Sequence, residues 1–138
     1  MRKITHIVLH CTATPQTTTV ASIQNYWRKI LGWRSPGYHR IIKPDGEVVV
    51  LAGYAQTTNG VQGHNANSIH LSYIGGVDGA NKPVDNRTAA QKETMERLVK
   101  ELKAVYPDAE VLGHRDFAGV KKACPSFDVK SWLKEVGL

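Results

Sequence analysis

Two histidines and a cysteine of this sequence have side chains that could share one metal ion. His10 closes the first apolar run typical of a strand, His114 closes the last such run, and Cys124 follows ten residues later. Two imidazole nitrogens and a thiolate suit zinc, and three protein ligands leave the fourth tetrahedral position open to water. An open position is typical of a catalytic zinc site, so these three residues are candidate ligands of a catalytic metal.

The same residues also allow an interpretation without a metal. Each histidine is then a hydrogen-bonded core or surface residue, and the two cysteines are reduced and inert or joined in a single bridge. Adjacent strand residues point to opposite faces, so Cys11 should face away from His10 and be a small buried hydrophobic residue. The spacing of the candidates does not decide between the two interpretations.

The first predicted strand carries His10 at its end, and the first predicted helix follows it. Residues 4–10 have apolar side chains on both faces, Ile4 and Val8 on one and Ile7 and Leu9 on the other, which predicts a central strand covered on both sides. A helix capped by Thr19 and stopped at Gly32 should follow. Its apolar stripe consists of Val20, Ile23, Trp27, Ile30 and Leu31.

The rest of the chain also consists of predicted strands and helices joined by turns. Two strands, at 38–43 and 47–51, are joined by the turn Pro44-Asp45-Gly46, and another strand covers 68–74. A capping box at Thr88 and Gln91 opens a long helix that Pro107 ends. Strand 110–113 and a closing helix with Val129, Trp132, Leu133 and Val136 complete the chain. This order predicts an α/β fold, a central mixed β-sheet flanked by α-helices.

Length and composition set the class of protein. No linker, repeat or charge block divides the 138 residues, so we expect a single domain over 1–138. A net charge of +6 favours anionic partners, but the cationic residues are scattered, and we expect no nucleic acid partner. No apolar stretch approaches the roughly 20 residues that span a bilayer, and the N-terminus lacks the apolar core of a signal peptide. We expect a monomer made in the cytoplasm, with no membrane partner.

Four segments, spread over nearly the whole chain, carry a resemblance to one family. They are residues 7–14 (IVLHCTAT), residues 37–42 (GYHRII), Asn67-Ser68-Ile69 with Gly75-Gly76, and Gly113-His114 with residues 122–128 (KACPSFD). In these segments the chain resembles the phage lysozymes and peptidoglycan recognition proteins. The enzymatic members of that family are zinc-dependent N-acetylmuramoyl-L-alanine amidases.

The resemblance implies a role for five residues. His10, His114 and Cys124 fall on the family's zinc ligands, for one zinc ion per chain, and Tyr38 and Lys122 fall on its two catalytic side-chain positions. The presence of both Cys124 and Lys122 makes the chain most similar to the phage enzymes, the bacteriolytic endolysins. The implied activity is hydrolysis of the amide bond between N-acetylmuramic acid and L-alanine in peptidoglycan, after release of the enzyme to the cell wall.

The family also suggests a mechanism, and one loop departs from its pattern. Zinc-bound water would attack the lactyl carbonyl while Lys122 and Tyr38 donate hydrogen bonds to the oxyanion or the water. In the polar loop, where many relatives have His followed by Ala, this chain has residues 59–65 (NGVQGHN), so His64 is displaced from that position or is a solvated loop residue. A rival function is a module that binds peptidoglycan without cutting it, and a basic nucleic-acid-binding domain is a third.

Overall fold

The computed structural model describes residues 2–138 and contains one five-stranded sheet. Its strands are β1 (His6–Cys11), β2 (Arg40–Ile42), β3 (Val48–Val50), β4 (Ser68–Tyr73) and β5 (Glu110–Gly113). They lie in the order β3-β2-β4-β1-β5, and only the β2–β3 hairpin is antiparallel. Three helices complete the fold: α1 (Val20–Asn25), α2 (Ala89–Val105) and α3 (Val129–Glu135). The predicted fold class, a mixed sheet flanked by helices, is confirmed.

The central strand β1 is buried on both faces, as its sequence predicts. Ile7 and Leu9 belong to the main core, whereas Val8 packs with Leu112 on the opposite face. The expectation that Ile4 shares a face with Val8 is wrong, because Ile4 packs in the main core with Ile7 and Leu9. Ile4 precedes the first residue of β1, so strand alternation does not reach it.

The helix after β1 changes its geometry halfway. Thr19 caps α1 as predicted, accepting a hydrogen bond from the Ser22 amide at 3.1 Å, but the segment Tyr26–Ile30 is a π-helix. One extra residue in a helical turn rotates the side chains that follow by about 100°. Ile30 and Leu31 are therefore 69% and 40% exposed, and their predicted place in the buried stripe is wrong.

The remaining elements lie where the sequence places them, within a few residues at each end. Gly46 has the positive φ of 88° that the predicted hairpin turn requires. The Thr88 and Gln91 capping box opens α2. Helices α2 and α3 cover the face of the sheet that carries the main core, while α1 packs through Ile23, and the π-helix through Trp27, on the other face. Among residues 2–138, none of the helices has the length and apolar character to cross a membrane.

Candidate metal centre

The three candidate ligands meet at the carboxyl ends of two adjacent parallel strands. β1 pairs with β5 in a register that puts Leu9 opposite Gly113. His10 is therefore the next residue along β1, and His114 directly follows β5. Cys124 reaches the same point from the loop that precedes α3. Ligands of open α/β sheets commonly bind outside the carboxyl ends of the strands, which is where this cluster lies.

The donor atoms of these residues are close enough to share one ion. One ligand atom from each of His10, His114 and Cys124 lies within 4.8 Å of the other two. Cys124 Sγ is 3.8 Å from His10 Nδ1, which identifies Nδ1 as the histidine nitrogen that faces the site. Zinc binds nitrogen at about 2.0 Å and sulfur at about 2.3 Å, so donors at these separations need only small movements to surround it.

The electrostatic environment keeps both imidazoles neutral, the form that binds a metal. Burial lowers the pKa of His10 well below its usual value, and the neighbouring His70, His114 and Lys122 add to the effect. Burial and the charge of Lys122 lower the pKa of His114 to about 4. The hydrogen bond with Cys11 and burial raise the pKa of the Cys124 thiol, so binding of a metal there would release a proton.

The second cysteine lies beside the site and is buried in the core. Neither Cys11 nor Cys124 forms a disulfide. The Cys11 side chain packs in the main core, on the opposite side of β1 from His10, as strand alternation predicts. Its backbone N–H points to Cys124 Sγ at 3.2 Å, a contact that favours a thiolate on that sulfur.

Tyr38 and Lys122 both lie at this cluster but differ in exposure. The Tyr38 ring centroid is 4.9 Å from that of His10, and its hydroxyl donates to the Cys11 carbonyl at 3.2 Å. Burial raises the pKa of Tyr38, so its hydroxyl stays protonated and can act as a hydrogen-bond donor. Lys122 is exposed, and its positive charge lies close enough to lower the pKa of His10 and of His114.

Two further histidines, which the sequence analysis does not single out, are buried behind His10. His70, on β4, has its Nδ1 2.8 Å from His10 Nε2, and its own Nε2 lies 2.9 Å from Asn65 Oδ1. His39 accepts a hydrogen bond from the His70 backbone amide at 3.0 Å. A histidine within an otherwise apolar strand was the available signal for His70, and a histidine in the segment before β2 was the signal for His39.

Five other polar or aromatic residues, among them the loop histidine His64, lie away from the cluster or have structural roles. His64 is exposed, and its ring rests against Phe117 at 4.5 Å. Asp116 accepts from the Gly113 amide at 2.8 Å, so it forms the turn after β5. Arg40 donates to the Ala52 carbonyl at 2.6 Å and lies over the Tyr54 ring. Trp33 and Arg34 line a small cleft with Trp27, whose indole stacks on that of Trp33.

Fold and site together define an α/β protein with a candidate metal centre at the end of its central strands. Residues 1–127 match the family described as N-acetylmuramoyl-L-alanine amidase. The endolysin of Klebsiella phage KP32 is 40% identical over an alignment of 137 positions that covers 97% of this chain and 88% of that protein. The chain belongs to the N-acetylmuramoyl-L-alanine amidase family, so the family and the enzyme class that the sequence predicts are confirmed.

Solved structures share the fold over nearly the whole chain. The Ph2119 endolysin from Thermus scotoductus MAT2119 bacteriophage Ph2119 superposes with a TM-score of 0.82 at 25% identity, covering 99% of this chain and 86% of that one. The N-acetylmuramoyl-L-alanine amidase LysC from Clostridium intestinale URNW has a TM-score of 0.81 at 21% identity, with 99% and 87% coverage. The second similarity concerns the fold alone.

Proposed function

We propose that this chain hydrolyses the amide bond between N-acetylmuramic acid and L-alanine in peptidoglycan, and that it does so with one zinc ion held by His10, His114 and Cys124. The observation that carries the proposal is the convergence of one donor atom from each of these residues to within 4.8 Å. The substrate class follows from membership of the amidase family. We further propose that residues 1–138 act as a single catalytic domain, at the bacterial cell wall.

The donor set fits zinc better than the harder cations. Imidazole nitrogens and a thiolate are ligands that zinc prefers, whereas magnesium and calcium favour oxygen donors. Bound there, zinc would supply a Lewis acid that polarises a carbonyl and lowers the pKa of a coordinated water toward about 7. His10, His114 and Cys124 would hold the ion, and a set of three protein ligands is the number that catalytic zinc sites use.

The protein's own residues would bind and stabilise the reacting carbonyl. Tyr38 keeps its proton, so its hydroxyl would donate a hydrogen bond to the carbonyl oxygen rather than remove a proton. Lys122, exposed beside the cluster, would place a positive charge where negative charge develops on that oxygen. Both groups would act more strongly on the transition state than on the substrate, which is the condition for raising turnover.

Metal analysis combined with an activity assay tests the proposal. The purified protein should contain one zinc per chain and should release new L-alanine amino termini from purified peptidoglycan. A strong chelator should remove both the zinc and the activity, and added zinc should restore them. Added magnesium serves as the control. It should neither bind at the site nor restore the activity, because the donor set includes a thiolate.

The two parts of the proposal fail in different ways. Full activity in the chelated protein would contradict the zinc requirement while leaving the amidase activity intact. A zinc-loaded protein that binds muropeptides without cutting them would instead favour the rival function, a module that recognises peptidoglycan.

A further inference from the structure

His70 lies against the far side of the candidate ligand His10. The His10 ring presents Nδ1 to Cys124 Sγ and Nε2 to His70 Nδ1, the latter at 2.8 Å. His70 is fully buried on β4, diagonally across from His10 in the parallel pair that β4 forms with β1. The contact is therefore set by the register of two central strands and not by a mobile loop.

The direction of this hydrogen bond follows from a backbone donor at its far end. Asn65 Oδ1 accepts from the Val61 amide at 2.8 Å, so the oxygen, not the nitrogen, of the Asn65 side chain faces inward. That oxygen also lies 2.9 Å from His70 Nε2, which must then donate to it. His70 Nδ1 is left as an acceptor, so His10 carries its proton on Nε2 and keeps the Nδ1 lone pair free.

The loop that carries Asn65 is built around the His70 ring. A Cβ atom at Gly60 would lie 2.3 Å from His70 Nδ1, so residue 60 must be glycine while His70 occupies this place. Arg2 Nη1 donates to the Asn65 carbonyl at 3.1 Å and to the Ser68 carbonyl at 2.9 Å, which fixes the turn before β4. The loop is thus shaped to accommodate an imidazole supplied from the sheet.

We propose that His70 is a positioning residue that holds His10 in the tautomer and ring orientation needed to bind the metal through Nδ1, with Asn65 as its own anchor. The inference rests on the proposed zinc site and adds residues to it. Partners that hydrogen-bond the second nitrogen of a ligating histidine typically contribute about 10- to 100-fold to metal affinity or activity. In this chain that partner is an imidazole where other sites use a carboxylate or a carbonyl.

Two substitutions at residue 70 separate the hydrogen bond from the volume of the ring. His70→Phe keeps a ring but removes the acceptor, and the dissociation constant for zinc, measured by competition with a chromogenic chelator, should rise roughly 10- to 100-fold. His70→Asn offers an amide oxygen near the position of Nδ1 and should restore much of the lost affinity. The visible spectrum of the cobalt-substituted protein, which reports the ligand geometry, should change in His70→Phe and return toward that of the unsubstituted protein in His70→Asn.

Control variants make the outcome decisive. His64→Asn alters an exposed histidine of the same loop and should leave zinc affinity unchanged. Asn65→Ala removes the anchor together with the acceptor of the Val61 amide, and it should weaken zinc binding by a smaller factor than His70→Phe. Should His70→Phe not fold, unchanged zinc affinity in Asn65→Ala would overturn the inference. Equal zinc affinity in His70→Phe and the unsubstituted protein, or equal losses in both residue-70 variants, would overturn the inference while leaving the zinc site in place. An unsubstituted protein that binds no zinc would overturn the inference together with the proposed function.

Discussion

Tyr38 and Lys122 approach the same cluster from different environments, one half-buried among aromatic rings and one in solvent. The Tyr38 ring is held between His10 and Trp27, whose ring centroids lie 4.9 and 5.4 Å away. Its hydroxyl thus has a fixed position near the metal site. Lys122 is exposed on the loop before Cys124, so it would supply charge with less precise placement.

We predict that Tyr38→Phe and Lys122→Ala each lower turnover on peptidoglycan by about 100-fold, the usual cost of losing one oxyanion donor. Zinc content should stay at one per chain in both, because neither side chain is a proposed ligand. The measurement is kcat on purified peptidoglycan together with metal analysis. Lys121→Ala is the matched control, since it removes a neighbouring exposed charge and should retain near-full turnover. Unchanged kcat in either variant would remove that residue from the mechanism.

The sequence alone indicates which residues could bind a metal, but it does not indicate which residues hydrogen-bond those candidate ligands. His10 and His114 can be proposed because each ends or follows a recognisable strand, and Cys124 because a thiolate suits the same metal as two imidazoles; the structure brings the three together. His70 could not be assigned a role in this way. Its contact with His10 depends on the register between β1 and β4, which pairs residues about 60 positions apart and leaves no local trace in the sequence.

At the scale of elements, local signals predict helix starts and turns better than helix interiors. The Thr19 cap, the hairpin turn at Gly46 and the capping box of α2 are all confirmed because each depends on side chains a few residues apart. The π-helix at Tyr26–Ile30 was not predicted. Its apolar residues fit an ordinary helix equally well, and the tertiary contacts of Trp27 with Trp33 and Tyr38 lie outside that local pattern.

Helix α2 is fixed to the sheet through one buried amide. Gln91 Oε1 accepts from the Thr88 backbone amide at 3.0 Å, which completes the capping box. On its other side, Gln91 Nε2 donates to the carbonyls of Ile42 and Ile74 at 3.2 and 3.0 Å. A single side chain therefore both starts the helix and binds it to the ends of β2 and β4.

We predict that Gln91→Ala lowers the free energy of unfolding by about 2 to 4 kcal/mol, since it weakens a cap and removes the side-chain donor of the Ile74 carbonyl, while the Ile42 carbonyl keeps the Ile74 amide as a donor. Urea unfolding of the metal-free protein measures the loss. Lys92→Ala, at an exposed position one residue along the same helix, should change stability by less than about 0.5 kcal/mol. A loss as small in Gln91→Ala as in this control would show that the amide does not fix the helix.

At the scale of the whole molecule, the two faces of the sheet bury different kinds of side chain. The face under α2 and α3 carries the main core, with Ile7, Leu9, Ile69 and Leu71 fully buried between sheet and helices. The opposite face, beside α1, carries the imidazoles of His10, His39 and His70, and these need hydrogen-bond partners because they are fully buried. Proton uptake on that face is therefore expected to affect the stability of the whole fold.

His39 is the buried imidazole of that face that does not touch a candidate ligand. It is fully buried, and its Nε2 donates to the Gln56 carbonyl at 2.7 Å. Burial, together with the charges of Arg2 and Arg40, lowers the pKa of His39 from 6.5 to about 4, and the hydrogen bond to the Gln56 carbonyl opposes this shift. The charged or titratable side chains that face its ring are Arg2, Arg40, Tyr54 and His70.

A depressed pKa in the folded protein makes stability depend on pH in one direction. As the pH falls below 6.5, the unfolded chain takes up a proton at His39 before the folded protein does, so folding loses free energy until the pH passes about 4. The contribution of His39 is therefore fully present above pH 6.5 and is lost between pH 6.5 and about 4. A pKa difference of this size between the unfolded and the folded protein corresponds to about 3 kcal/mol in the free energy of unfolding.

Comparison with His39→Gln isolates this contribution, since glutamine keeps a donor for the Gln56 carbonyl but does not titrate. Urea unfolding of both proteins, in chelator and at pH 7.5 and 4.5, should show a larger loss of stability with falling pH in the unsubstituted protein. The other histidines are common to both proteins. The charge of His39 helps to lower the pKa values of His70 and His10, so this coupling adds to the larger loss expected of the unsubstituted protein. Equal losses in the two proteins would mean that His39 takes up its proton equally readily folded and unfolded. In that case, burial beside Arg2 would not keep the ring neutral.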